Sequence, residues 1–287
     1  MTIKNPALFR VLLNRFHPHL DEKLLACLPK EESKQVLSET INAQDPIPFL
    51  TWPEDLIAHT HYSWLAPIIR KLPSSLRALT IAALPEPQSS KLHSFLHVAS
   101  PPFQLASSIK KFFVNVFFRE WSPKEIKPLS YLPESQLNPL LKLSKDDLVE
   151  FINLLAIYDL AEALRNIVDK KLLESIYHCL SGQQQEFLRF CLRNREKPTA
   201  PLLELNKWDG QQESFQHLMH RRGLLRFGKA LCGESREFIW YLTHILDTGR
   251  GEALARHYKE KTVSKIHEQL NQQLLSVLNF LKNKGTI

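Results

Sequence analysis

The sequence predicts an all-α fold of helical hairpins stacked as repeats. Three observations carry this. First, only 8 of the 287 residues are glycine, well under the usual ~7%. No alternating Val, Ile or Thr run of the kind a strand needs is present. Leu dominates the apolar positions, and Leu, Lys, Glu and Gln keep their rotamer freedom in helices. Second, Leu28-Pro29, Leu72-Pro73, Leu84-Pro85 and Leu132-Pro133 each read as a helix end followed by a new first turn, where the missing proline N–H goes unneeded. Third, Leu172, Ile176, His178, Leu180, Glu186 and Leu188 are matched 66 positions later by Phe238, Leu242, His244, Leu246, Glu252 and Leu254. A fixed offset held over such a run indicates one helical unit used twice.

Taken in order, residues 6–41 give short helices, with Ala7, Leu8, Val11, Leu12 and Phe16 on one apolar face. Pro46, Pro48 and Pro53 make 44–54 a connector. Helices then end at Leu72 and Leu84, and a third runs from Leu92 to Val98. Residues 103–121 read as an aromatic helix with a core face of Leu105, Ile109, Phe112, Phe113, Val116 and Phe117, ahead of a buried strand over 112–118 or a membrane-surface helix with Lys110 and Lys111 at its edge. Prolines at 123, 128, 133 and 139 connect two lobes. Ser144, with Asp147 three residues on, opens a helix through Leu148, Ile152 and Leu155. The first copy of the repeat follows, then a linker over 195–210. From Phe227 to Lys259 a helix breaks at Gly233, a long helix breaks at Gly249-Arg250-Gly251, and another helix follows. A last helix runs from Val263 to Leu281 and stops at Gly285. The domains expected are therefore 1–43, 55–122, 144–194 and 211–287.

Composition narrows the class. Net charge is +7, from 37 basic and 30 acidic residues, a mild excess that permits acidic proteins, lipid headgroups or nucleic acid as partners. Cys27, Cys179, Cys191 and Cys232 have no paired spacing. No run reaches the ~18 apolar residues of a membrane span, and Lys4, Arg10, Arg15 and His17 interrupt any signal-peptide core. A cytoplasmic chain is expected.

Motifs for chemistry are weak. Gly223 to Lys229 has the spacing of a phosphate-binding loop. Yet Ala230 stands where a Ser or Thr should hold magnesium, and a helical stretch precedes it instead of a strand. His93 and His97 share a helical face but lack a general-base Glu and a third ligand. No nucleophile elbow, catalytic carboxylate pair or Cys–His pair is evident, so neither an enzyme nor a cofactor nor a metal site is expected. Basic residues cluster at 189–197 and 217–229, including Arg221, Arg222 and Arg226, which keeps nucleic acid as the alternative partner.

At the second copy the residues resemble a known family. Ala230 to Phe238 is similar to the A-L-K-G-A-S-x-E-L stretch of the flagellar motor switch protein FliG. It runs without a gap through a long helix to a turn at Asp247–Arg250 that resembles the family's S/D-x-x-R type. Leu281 to Ile287 looks like the closing L-x-x-x-G-x-I. Upstream, His61 to Pro73 is similar to the E-H-P-Q segment and its helix, and Leu84-Pro85-Glu86 to the next L-P-E turn. The resemblance covers 59–98 and 145–287. It implies armadillo-like, FliG-like repeats and a cytoplasmic role joining a membrane-embedded ring to a peripheral ring of partners.

Departures from the pattern refine that expectation. Only His61 of E-H-P-Q matches, Cys232 replaces a basic residue, and the paired acids of the torque helix fall at Arg256 and His257. The family's turn arginine falls at Gly249, one place before Arg250. Electrostatic pairing with a stator needs those signs. The resemblance then points to the non-motile relative, an SctK-type adaptor of type III secretion. It would be peripheral at the inner membrane, with an inner-membrane ring protein and a sorting-platform or switch protein as partners. The docking residues expected are Arg221, Arg222, Trp240, Tyr241, His244 and Arg250 on one face, and His61 with Trp64 on another, because Trp, Tyr and Arg most often anchor interfaces.

Overall fold

The computed structural model describes residues 6–17, 21–39, 47–123, 126–194, 203, 205–258 and 265–285. Among them are 15 α-helices and no strand, so the fold is all-α. None of these helices is long and apolar enough to cross a membrane. The chain divides into two compact units, Met1–Ser135 and Gln136–Ile287.

In the first unit, α1 (Pro6–Phe16), α2 (Asp21–Leu25) and α3 (Lys30–Ser38) meet through Leu13, Leu25 and Val36. Five more helices follow: α4 (Ile47–His59), α5 (Tyr62–Lys71), α6 (Ser74–Ala83), α7 (Gln88–Leu96) and α8 (Ser107–Trp121). They share a core of Ile57, Leu65, Ile69, Ile81, Leu92, Val114 and Phe117. The Leu-Pro signal holds fully at Leu28-Pro29 and Leu72-Pro73, ends α6 at Leu84 with α7 starting only at Gln88, and opens no α-helix at Pro133. Leu72 and Leu84 leave α5 and α6 in extended conformation, and Pro29 and Pro73 stand at the N-caps of α3 and α6. Gln88 of α7 ties back to α4, its Nε2 donating to the Ala58 and Thr60 carbonyls at 2.6 and 2.9 Å.

Two expectations fail in this unit. The proposed connector at 44–54 is helix from Ile47 on, its earlier part lying outside the described residues. Pro48 sits in the first turn, where no N–H is needed, and Pro53 forfeits a single bond inside the helix. The predicted core face of α8 holds at Phe117 and fails at three of its other positions. Val114 and Phe117 point into the core, whereas Ile109, Phe112 and Val116 are 44, 64 and 43% exposed. The aromatic run 112–118 offers apolar residues on both sides of the helix, so periodicity alone could not choose.

The second unit is arranged around α9 (Lys145–Leu164), which packs against α11 (Gly182–Arg193), α12 (Gln212–Ala230) and α15 (Lys265–Asn283). Buried positions run through 151, 152 and 154–161, so α9 is apolar on every side, as a central helix must be. Ser144 caps it, accepting from the Asp147 N–H at 3.2 Å. Between α9 and α11 lies α10 (Lys170–His178), and between α12 and α15 lie α13 (Arg236–Ile245) and α14 (Thr248–His257).

The caps fall in register. Asp169 and Ser181 cap α10 and α11 through their side chains, and 66 positions on Ser235 and Asp247 cap α13 and α14 the same way. The break expected at Gly249–Gly251 actually lies at Leu246–Asp247. The Asp247 carboxylate accepts from the Arg250 N–H and starts the helix before those glycines. At Gly233 the backbone takes φ +91, which glycine alone tolerates freely, and this turns α12 into α13.

The glycines of the phosphate-loop look-alike have a packing role. A Cβ at Gly223 would overlap the Ile152 carbonyl of α9, and one at Gly228 would collide with His257 of α14. They are crossing points of α12 with two neighbours.

Candidate functional site

Sequence reading placed one docking face on α12–α14, and the side chains there divide among five environments. Tyr241 is 1% exposed and belongs to the core, so it is withdrawn from that face. Its neighbour Trp240 is half-buried and stacks on His244, with ring centroids 3.9 Å apart. The His244 Nδ1–H donates to the Trp240 carbonyl at 2.7 Å, which fixes the ring against the helix.

Arg222 is turned inward as well. Its Nε donates to Asp159 Oδ2 at 2.8 Å, and Arg226 pairs with the other oxygen of the same carboxylate. Arg226 also reaches Gln273 of α15 and lies over the Tyr158 ring, 5.5 Å from its centroid. Asp159, Arg226 and Gln273 are all buried. This network joins α9, α12 and α15, and it withdraws two of the arginines from the predicted basic cluster. Arg221 alone of that trio is exposed, and it borders a shallow hollow with Trp208 and Leu218.

Arg250 stands elsewhere, at the edge of a cleft of about 530 Å³ between α9, the α10–α11 turn and the first turns of α12. It pairs with Asp247, and its Nε donates to His220 Nε2 at 3.0 Å. The other ring nitrogen of His220 donates to Asn153 Oδ1 at 2.8 Å. The ring is therefore neutral, with its proton on Nδ1. Burial, then the charge of Arg250, pulls its pKa down to about 4. Burial by itself would raise Asp247, but hydrogen bonds and charge from Arg250, with Lys145 at 3.6 Å, outweigh it and hold the carboxyl below its ordinary range. Glu150 lines the same cleft, and burial holds its carboxyl above the usual range.

The cleft is lined by hydrogen-bonding groups. Cys179 lies in it, but burial pushes its thiol up, away from the reactive thiolate. His93 Nδ1–H donates to the Val98 carbonyl at 2.8 Å, and His97 ends α7 in left-handed conformation, φ 53. No three His, Cys, Asp or Glu side chains converge on a metal position among the described residues.

In the first unit, His61 caps α5, its Nδ1 accepting from the Ser63 N–H at 3.3 Å, and Trp64 follows half-buried in the first turn. The predicted residues thus lie in separate places: His61 and Trp64 at one helix start, Trp240 and His244 on α13, Arg221 at one hollow and Arg250 at another. Sequence reading passed over Glu150, Asn153 and Asp159. The available signal was a polar side chain inside a helix otherwise apolar all round. No family model, no curated protein and no solved structure matches this chain.

Proposed function

We propose that the chain is a non-enzymatic adaptor of a type III secretion or flagellar-type basal body. It would be peripheral at the inner membrane and link an inner-membrane ring protein to a sorting-platform or switch protein. The observation that carries this reading is the form taken by Ala230–Phe238. The stretch that resembles the switch family ends one helix, turns at Gly233 with φ +91, and starts the next under the Ser235 cap. Those are the places where a shared Gly and Ser matter physically. The charge departures favour a scaffold over a torque generator, since the exposed Arg256 stands where the resemblance would put an acid.

Nucleic acid is the weaker partner. Arg222 and Arg226 neutralise Asp159, and Arg250 neutralises Asp247, so these cations are not free for phosphates. The test is affinity capture of the tagged chain from solubilised membranes of its own cell. Recovery of ring and sorting-platform proteins is expected. Recovery of nucleic acid-associated proteins only, lost on nuclease treatment, would overturn the reading.

A further inference from the structure

The adaptor reading assigns nothing to the cleft between α9, the α10–α11 turn and α12. At about 530 Å³ it falls within the ~300–1,000 Å³ of small-ligand sites. Its charge is opposite to that of the chain. Histidines aside, the charged side chains that line it are Glu150, Glu213 and Arg250. Arg250 is paired with Asp247, so two carboxylates are left over, in a protein of net charge +7. Glu213 is exposed at the mouth, and Glu150 is half-buried. Glu150 Oε1 is itself buried and accepts no hydrogen bond. A buried acceptor without a donor costs free energy that a donor placed against it recovers. Burial outweighs the amides of Asn153 and Gln184 and keeps this carboxyl above its usual range, as happens to a carboxylate with no cation beside it. The neighbouring wall is apolar, made by Val149, Leu180 and Met219.

We propose that this cleft binds an organic cation on an aliphatic stem, an alkylammonium or alkylguanidinium, whose head pairs with Glu150 and whose stem lies on Val149, Leu180 and Met219. Three observations select that class. Glu150 Oε1 lacks a donor, and ammonium and guanidinium groups offer donors only. The surplus of negative charge attracts a cation and repels a carboxylate or phosphate. An apolar wall beside a carboxylate suits a methylene stem with a charged head, the form of lysine and arginine side chains. An anion fits less well. The start of α11 at the edge of the cleft would attract one, but the capping box of Ser181 and Gln184 already closes that end. The first turn of α12 carries Glu213, which repels it. Arg250 spends its Nε on His220 and its Nη1 on Asp247. A neutral guest would leave the Glu150 carboxylate without a counter-ion. The head belongs either to a free amine or to a basic side chain of another protein, and the test separates the two.

Met219 lines the cleft, and Met1 is the only other methionine. Methyl-labelled methionine therefore gives the full chain one NMR reporter inside the site. The probes, titrated at constant ionic strength, are Nα-acetyl-lysine methylamide, the neutral Nα-acetyl-norleucine methylamide and the anionic Nα-acetyl-glutamate methylamide. The Met219 signal should shift saturably with the lysine compound, with an affinity about tenfold or more above that of the other two. Glu150→Gln keeps the side chain's shape and should weaken the lysine compound about tenfold or more. Asp146→Asn changes an exposed acid of the same helix and should leave binding as it was. Putrescine, run alongside, identifies the source: tighter binding than the lysine compound marks a free amine, weaker binding a side chain. Equal binding of the lysine and norleucine compounds, tighter binding of the glutamate compound, an unaltered response in Glu150→Gln, or no Met219 shift with any probe would overturn the proposal. The comparison of the three compounds on the wild type stands whether or not Glu150→Gln folds. None of these outcomes depends on what the tagged chain captures from membranes, so this idea and the adaptor reading fail separately.

Discussion

Removing the charge of Asp159 would take from Arg226 of α12, 5% exposed, the carboxylate it is buried against. An orphaned buried charge is far worse than the pair was good. Asp159→Asn should therefore lose about 3–5 kcal/mol, read as a lower midpoint in urea unfolding; an unchanged midpoint would refute the network's role. His220 makes a different prediction. In the unfolded chain its ring takes a proton as pH falls through 6.5, but in the fold it resists until about 4. Between those values the unfolded state holds more protons, so stability rises with pH and is lost as pH drops from 6.5 toward 4. His220→Gln should flatten that part of the stability–pH curve. Parallel curves for the two proteins would mean that His220 is not the titrating group. Neither residue's role was legible in the sequence. Asp159 finds its arginines 63 and 67 positions away, and only packing of α12 on α9 brings them together.

Local grammar set most helix boundaries, and tertiary context set which face went inward. Leu-Pro steps, Ser144 and Gly285 were readable because caps and prolines act within a turn. The errors at α4 and α8 share a cause: a weak local rule was outvoted by packing. Pro48 and Pro53 did not stop α4, and six apolar positions did not decide the inner face of α8. That second case can be measured. Phe117→Ala should cost about 3–5 kcal/mol, because its ring is 4% exposed within the core. Phe112→Ala should change stability by no more than about 0.5 kcal/mol, being 64% exposed. Thermal melts of the two variants distinguish the observed face from the one periodicity suggested.

The two units each have an apolar core of their own, so the 136–287 piece should fold by itself. Expressed alone, it should be helical by circular dichroism and unfold in one cooperative transition; a broad, non-cooperative melt would show that it depends on the rest of the chain. All-α architecture was legible from glycine poverty and missing strand patterns, whereas the caps 66 positions apart, Asp169 with Ser235 and Ser181 with Asp247, were not named from the sequence. The cleft was not legible either, because its walls come from α9, α10–α11, α12 and α14 at once. One feature of this unit bears on how it carries load. At Gly223 the backbones of α12 and α9 meet with no side chain between them, so a push on one helix reaches the other through stiff peptide planes instead of compressible methyl groups. A side chain at position 223 would therefore have to force the two helices apart, with no flexible group there to yield.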